Sequence, residues 1–492
     1  MVNCESCRLA CSGLFFVSKN FVERDFCIVG AGFAGLTAAL RLTQAGHSVV
    51  VVEARDRIGG KVWTKYLDDG TPIDLGGTFL GPSQERIYSL LKELDLDITP
   101  TPIHGDSLLV YKGEYYRYGE EVPEVDSESL DGVWDTLQKL SKMSLEVPND
   151  APWTCAKAQE WDSMSLGQFL NDPAHNLGKP ALAMLRILFI GLFTVELSEI
   201  SLLYVLFQIA ASGNDIELQM KVEGGAEQDM VKGGMITVAE KMREKIEELN
   251  KENLKKNLRE NLEGSSKESC DWLLLSSPVR QITQDDTSVT VTSDKATIKA
   301  KRVVVAVPPN LANDIDYIPL LPSTRMELLR HMPAGQCTKF ITVYSEPFWR
   351  KRGLSGEVTA PDEFIQMTLD TSPPGEGVGV LMSFAFSKEA MQLAEMPAET
   401  RYKHVITAMA KRFGLEAVKP IHYFEYDWSK DRWTRGCHVA HLAPGVMTSY
   451  GHVIRQPFGL IHWATSESSP LWNGNIDGAV RAGEYVAREL IG

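Results

Sequence analysis

Gly30-Ala31-Gly32-Phe33-Ala34-Gly35, followed downstream by Glu53, is the constellation in this 492-residue chain whose types and spacing most directly imply chemistry. In such a pattern the first glycine permits a tight turn and the second lets the backbone approach a pyrophosphate. The third lets a helix pack closely on a strand. An acid about twenty residues further on can accept hydrogen bonds from ribose hydroxyls, a role open to Glu53. The pattern carries weight only between a strand and a helix, and the flanks supply both. Phe26–Gly30 is a short apolar run, Leu36–Ala45 has small apolar residues of helical character, and Ser48–Val52 is a second β-branched run. A strand, helix, strand unit is expected. Its helix N-terminus, with unpaired N–H groups and partial positive charge, would face the diphosphate of a dinucleotide.

Further glycine pairs follow at Gly59-Gly60 and Gly76-Gly77, where backbone N–H groups can come close to cofactor oxygens, and Arg57 adds a positive charge for a diphosphate. No catalytic triad, paired carboxylate or set of metal ligands presents itself as a reactive group, and no metal is expected. The eight cysteines are scattered and define no disulfide framework, so a reducing, cytoplasmic compartment is expected. Cys4, Cys7 and Cys11 cluster without a histidine or fourth cysteine to complete a zinc site.

The elements that must position these residues exceed one hydrophobic core, so two closely packed domains are expected from the length. Hydrophobic residues at 44% and charged residues at 23% are ordinary for a globular protein. A net charge of −15 argues against nucleic acid or an anionic membrane as partner. The apolar stretches Leu185–Phe193 and Leu202–Ala211 are too short to span a bilayer. Leu9–Val17 reads as part of a flexible arm, and from Arg488–Gly492 neither a tail anchor nor a peroxisomal tripeptide is expected.

Between about Glu240 and Glu263, Ile246, Leu249, Leu254 and Leu258 recur at helical spacing among lysines and glutamates, predicting a solvated surface helix. Gly264–Ser269 predicts a polar loop. Strands are predicted at Trp272–Leu275, Val279–Ile282, Val289–Val291 and Val303–Val307, then at Lys339–Val343 and Val378–Phe386, with a closing helix over Ile476–Leu490. Glycine-rich, nucleotide-like sequence thus occurs at both ends of the chain. The expected fold is mixed α/β (α+β), with a Rossmann-type cofactor domain built from discontinuous segments and a mixed-sheet substrate domain with helices. The segments are an arm at 1–24, a cofactor domain at 25–100, 222–309 and 422–492, and a substrate domain at 101–221 and 310–421.

Several separated motifs, in order, resemble the flavin-containing amine oxidases, most nearly the monoamine oxidases. They are Glu53-Ala54-Arg55-Asp56-Arg57-Ile58-Gly59-Gly60-Lys61, Asp74-Leu75-Gly76-Gly77-Thr78, Val305-Ala306-Val307-Pro308-Pro309 and Glu346-Pro347-Phe348-Trp349. Near the C-terminus come Arg435-Gly436-Cys437-His438, Ala443–Thr448, Arg455-Gln456-Pro457, Ala464-Thr465-Ser466-Glu467 and Trp472-Asn473-Gly474. The resemblance implies FAD as cofactor, in contact with Gly30, Gly32, Gly35, Glu53, Arg57, Gly60, Gly76, Gly77, Thr78, Val279, Trp428, Glu467 and Ile476. Lys61 stands where the family usually has arginine, which keeps the charge and loses the planar fork. Cys437 falls where these enzymes join the flavin through a thioether. Lys339 matches the lysine that holds a water near the flavin.

In a flavoenzyme the isoalloxazine carries the redox chemistry. The resemblance implies oxidation of an amine to an imine, hydrolysis to a carbonyl compound and ammonia, and reoxidation by dioxygen to hydrogen peroxide. The partners expected are therefore a small amine and dioxygen, with a homodimer left open. His438 and Asn475 stand where monoamine oxidases commonly place two aromatic side chains beside the flavin. A wetter, more polar pocket suited to aliphatic or polar primary amines is expected from this departure. A polyamine or L-amino-acid oxidase of the same fold is the competing enzyme reading, and a non-catalytic flavin- or nucleotide-binding protein the reading from another class.

Overall fold

The computed structural model describes residues 20–119, 127–259, 271–375 and 377–492. Cys4, Cys7 and Cys11, the segment Leu9–Val17 and the loop Gly264–Ser269 lie outside the described residues.

The first glycine loop leaves strand β1 (Asn20–Val29) and enters helix α1 (Phe33–Gln44), and β2 (Val49–Val52) returns beside β1. Five parallel strands form this core, in the order Leu273–Leu274, β2, β1, Ala296–Val305 and Ile461–Trp463. Both faces are buried. Ile28, Val51 and Val304 pack with α1, Ile236–Arg259 and the C-terminal helix Ile476–Ile491, whereas Cys27, Val50 and Val303 face the opposite cluster. That two-sided burial is why these strands read as unbroken apolar runs. Val289–Ser293 and Val279–Gln284 extend the sheet from the other half of Ala296–Val305 as an antiparallel ladder.

A second sheet has seven strands, ordered His422–Asp427, Cys337–Tyr344, Gly379–Phe386, Met367–Asp370, Leu354–Thr359, Asp106–Tyr111 and Glu114–Tyr118. Lys339 sits opposite both Phe384 and Tyr426, Phe384 opposite Met367, and Met367 opposite Thr359. Directly paired residues share a face, so these side chains line one side of the sheet. A helical layer that includes Lys179–Phe193 and Leu202–Ala211 completes this half, and no helix among the described residues is long and apolar enough to cross a membrane.

The structure moves three of the expected boundaries. Residues 20–24, assigned to the arm, continue β1 and pair with Ala296–Ala300. There β1 has no second neighbour, so Glu23 and Arg24 are tolerated and the apolar signal begins only at Phe26. Residues 310–332, assigned to the substrate part, pack on the parallel sheet through Ala312, Ile315, Tyr317 and Leu329. Strand His422–Asp427, assigned to the cofactor part, joins the second sheet instead. The helix Ile236–Arg259 also differs from a purely solvated one, because Val238, Ala239, Met242 and Ile246 are buried in the core beside α1.

Candidate active site

A crevice opens where the parallel strands end, lined by the Gly30–Gly32 loop, Glu53–Arg55, Gly59–Lys61, Val279, Thr465–Glu467 and Asn475–Ile476. Its three signature glycines have different reasons to lack a side chain. Gly30 has φ +107°, and a Cβ there would lie 2.6 Å from the Ala306 carbonyl oxygen. A Cβ on Gly35 would lie 2.0 Å from the Gly30 carbonyl oxygen. At Gly32 the backbone is ordinary extended chain and no protein atom lies nearer such a Cβ than the Gly60 Cα at 3.9 Å. The protein leaves room at Gly32, so what a side chain would displace is the occupant of the crevice.

Helix α1 begins there with no side-chain cap and no acid in its first turn, which leaves its N–H groups for an anion. The Glu53 carboxylate accepts from Ala31 N at 2.7 Å and Arg55 N at 2.8 Å, bracing the loop at the crevice wall. Arg57 is placed differently from the expectation. Its guanidinium donates to the carbonyls of Ile58 and Val62, at 3.1 and 3.0 Å, and lies over Trp63. Arg55 lines the crevice instead, paired with Asp431 at 2.6 Å and with its buried Nε lacking a partner. A nucleotide diphosphate fits this cradle: an uncapped helix end, a glycine with space beside it and an unsatisfied arginine donor.

At the other end, Lys61 Nζ donates to the His438 carbonyl oxygen at 2.8 Å and lies 3.7 Å from Glu467 Oε1. Glu467 accepts from Ala440 N at 3.2 Å and Ser466 Oγ at 2.9 Å. Ile476 opens the C-terminal helix, so a second helix N-terminus faces the crevice. Its N-cap Asn475 makes no side-chain bond to the helix and turns Nδ2 to the Asn473 carbonyl at 3.4 Å.

Lys339 lies on the second sheet, buried at 5% exposure. Its Nζ donates to Gly76 O at 2.6 Å, Thr78 Oγ1 at 3.1 Å and Asp74 O at 3.2 Å. These use all three ammonium donors, so holding a water, as the resemblance implied, requires one of them to be given up. Burial pushes the Lys339 ionisation down to about 8, against the pull of the Asp74 carboxylate. Asp74 is itself pushed up to about 6 by burial, opposed by the Thr64 hydroxyl, Lys339 and Met235 N–H.

Gly76 and Gly77 let this loop pass close to its neighbours: a Cβ on Gly76 would meet Lys61 O at 2.1 Å, and one on Gly77 would meet Ile476 Cδ1 at 3.2 Å. Trp428 holds the same loop by donating from Nε1 to Leu75 O at 2.9 Å.

Cys437 is buried on a pinned backbone, its N–H donating to Gly335 O at 3.0 Å and its carbonyl accepting from the Thr194 hydroxyl. The sulfurs of Cys437 and Cys337 and a ring nitrogen of His438 lie within 4.8 Å of one another. The Cys337 thiol, donating to Cys437, holds the Cys437 thiol well below its ordinary range, aided by His438 and Lys61 and opposed by burial. The His438 ring sits edge-on to Phe386 at 6.2 Å. The aromatic rings on the Lys339 face include Phe384, 5.3 Å from Lys339 Nζ, its neighbour Phe386 and Tyr426. Sequence reasoning missed Cys337, Asp74, Phe384 and Phe386. Spacing could have flagged Cys337, two residues before Lys339 on the same strand face.

A glycine-rich crevice beside a mixed sheet that carries a buried lysine defines a protein built to hold a dinucleotide cofactor. Residues 33–491 match the family described as flavin containing amine oxidoreductase. Amine oxidase [flavin-containing] B of Sus scrofa is 34% identical over 477 residues, covering 95% of this chain and 86% of that one. An L-amino acid dehydrogenase of Synechocystis sp. is 32% identical over 481 residues, covering 95% of each chain. A putrescine oxidase solved with bound putrescine superposes with a TM-score of 0.86 at 30% identity, over 96% of this chain and 99% of that one. The chain belongs to the flavin-containing amine oxidoreductase family, whose cofactor is FAD.

Proposed function

We propose that this protein catalyses the oxidative deamination of an aliphatic or polar primary amine, yielding a carbonyl compound, ammonia and hydrogen peroxide. FAD, held in the crevice, would supply the two-electron redox chemistry between the amine and dioxygen. The N-terminus of α1, Gly32 and Arg55 bind its diphosphate, Glu53 meets the ribose, and the N-terminus of Ile476–Ile491 stabilises negative charge. Lys339 orders the Asp74–Thr78 loop and sets a buried ammonium behind it. Cys437 attaches the flavin through a thioether, a role supported by its depressed thiol between Cys337 and His438.

The substrate class rests on Asn475, a hydrogen-bonding side chain on the crevice wall where the resemblance leads one to expect an aromatic. A polar group buried against it gains a partner, whereas a purely aryl substrate leaves the Asn475 Oδ1 unpaired, costing about 1–3 kcal/mol. Anaerobic titration with benzylamine, a long-chain amino alcohol, a diamine and an L-amino acid, scored by flavin bleaching, tests this. Fastest reduction by benzylamine would refute it. Oxidation of a diamine or an L-amino acid is the second reading, supported by relatives named for putrescine and L-amino acids.

A further inference from the structure

Two buried thiols beside a cofactor crevice are more than one attachment point requires. Cys337 sits in the strand Cys337–Tyr344, two residues before Lys339 and on the same face, at 2% exposure. Cys437 reaches it from a separate segment that hydrogen-bonds to Gly335. Both are free thiols whose sulfurs approach within 4.8 Å, so rotation about the side chains brings them towards the bonding distance of about 2.05 Å. The other free thiols among the described residues lie elsewhere: Cys27 in the core of β1, and Cys155 after the turn Pro152–Thr154.

We propose that Cys337 and Cys437 form a disulfide-forming pair, a modification site at which oxidation by hydroperoxide competes with flavin attachment. Cys437 sulfur, as thiolate, attacks one peroxide oxygen; the O–O bond breaks, leaving a sulfenic acid and hydroxide. Cys337 sulfur then attacks the sulfenic sulfur, the S–O bond breaks, and the thiol proton leaves with the oxygen as water. Two thiols and one hydrogen peroxide give one disulfide and two waters. The Cys437 sulfur thereby holds a bond to Cys337 and has none for the flavin. Asymmetry between the thiols supports the order of attack: Cys337 is pushed up by burial and serves as donor, while Cys437 is held low. Lys61, Arg435 and Glu467, around Cys437 in the chain or in space, line the crevice through which an uncharged peroxide would arrive.

The competition rests on the attachment proposed above; the disulfide does not. The full-length protein is produced under limited riboflavin, with and without added hydrogen peroxide, quenched with N-ethylmaleimide and digested for mass spectrometry. The expected result is a peptide joining Cys337 to Cys437, lighter than the two reduced peptides by two hydrogens. It should rise with peroxide as the flavin-bearing Cys437 peptide falls. Cys337→Ser should abolish the joined peptide and keep Cys437 available to flavin under peroxide. The proposal is overturned if peroxide leaves both peptides unchanged, if Cys437 joins another cysteine instead, or if Cys337→Ser loses flavin to peroxide as wild type does. A joined peptide with no flavin-bearing peptide in any sample retains the thiol pair and removes the competition together with covalent attachment.

Discussion

At Lys339 the surroundings make a lysine expensive and specific at once. Its three donors are matched by Gly76, Asp74 and Thr78, yet burial lowers its ionisation to about 8 from 10.5. Between those values the unfolded chain holds more protons at this site than the folded one, so stability rises with pH through that window. Asp74, at about 6, is already ionised there and adds no opposing step. The melting temperature of wild type relative to Lys339→Met should therefore increase as pH rises from about 8 towards 10.5; a difference independent of pH would contradict the buried ammonium. The same variant should slow the flavin half-reactions by about 10²-fold in rapid mixing, since a positioned proton donor contributes about that much or more. At Cys437 the prediction is chemical. Wild type should keep its flavin through acid precipitation, and Cys437→Ala should release it while still binding FAD before the acid step. Equal release from both would make Cys437 purely structural.

Helix α1 shows how one element serves packing and binding through different glycines. Gly35 is required by the Gly30 carbonyl 2.0 Å from its absent Cβ, and Gly483 on the C-terminal helix is required by the Ala34 carbonyl at 2.4 Å. Gly32 has no such protein neighbour. Gly35→Ala should thus lower stability by roughly 1–3 kcal/mol even without cofactor, as overpacking does. Gly32→Ala should leave the flavin-free melting temperature near wild type and weaken FAD binding by about tenfold or more, roughly 1.4 kcal/mol. Thermal melts with and without FAD separate the two effects. Equal behaviour of the variants would mean that Gly32 is a packing glycine after all.

Across the whole molecule, one sheet carries the nucleotide crevice and the other carries Lys339, Phe384 and Phe386. Asn475 and His438 come from the C-terminal segments between them. Replacing both with tyrosine should move the substrate ranking towards benzylamine, because ring faces attract a nitrogen-bearing group where Asn475 offers only hydrogen bonds. An unchanged ranking of catalytic efficiencies would place the discrimination at Phe384 and Phe386 instead. For any of these amines turnover should rise with pH until the amine is neutral, since an ammonium has no lone pair to assist oxidation; a falling profile would contradict the assigned chemistry.

Gly30–Gly35 and Glu53 could be read from the chain alone because strand, turn and helix are local, and each glycine's steric role lies within a short stretch. The two-domain mixed α/β plan followed from repeated strand patterns and from nucleotide-like sequence at both ends. Local pattern did not place Arg57, which pairs with carbonyls of its own loop, or the edges at 20–24, 310–332 and 422–427, whose partners are distant strands. Nothing in the chain announces that Lys339 spends its donors on residues some 260 positions earlier, or that Cys337 meets Cys437. Those contacts depend on sheet register and on which segment crosses the crevice. Such choices are made by the packing of whole elements, where one residue of slip would turn Lys339 and Cys337 to the opposite face.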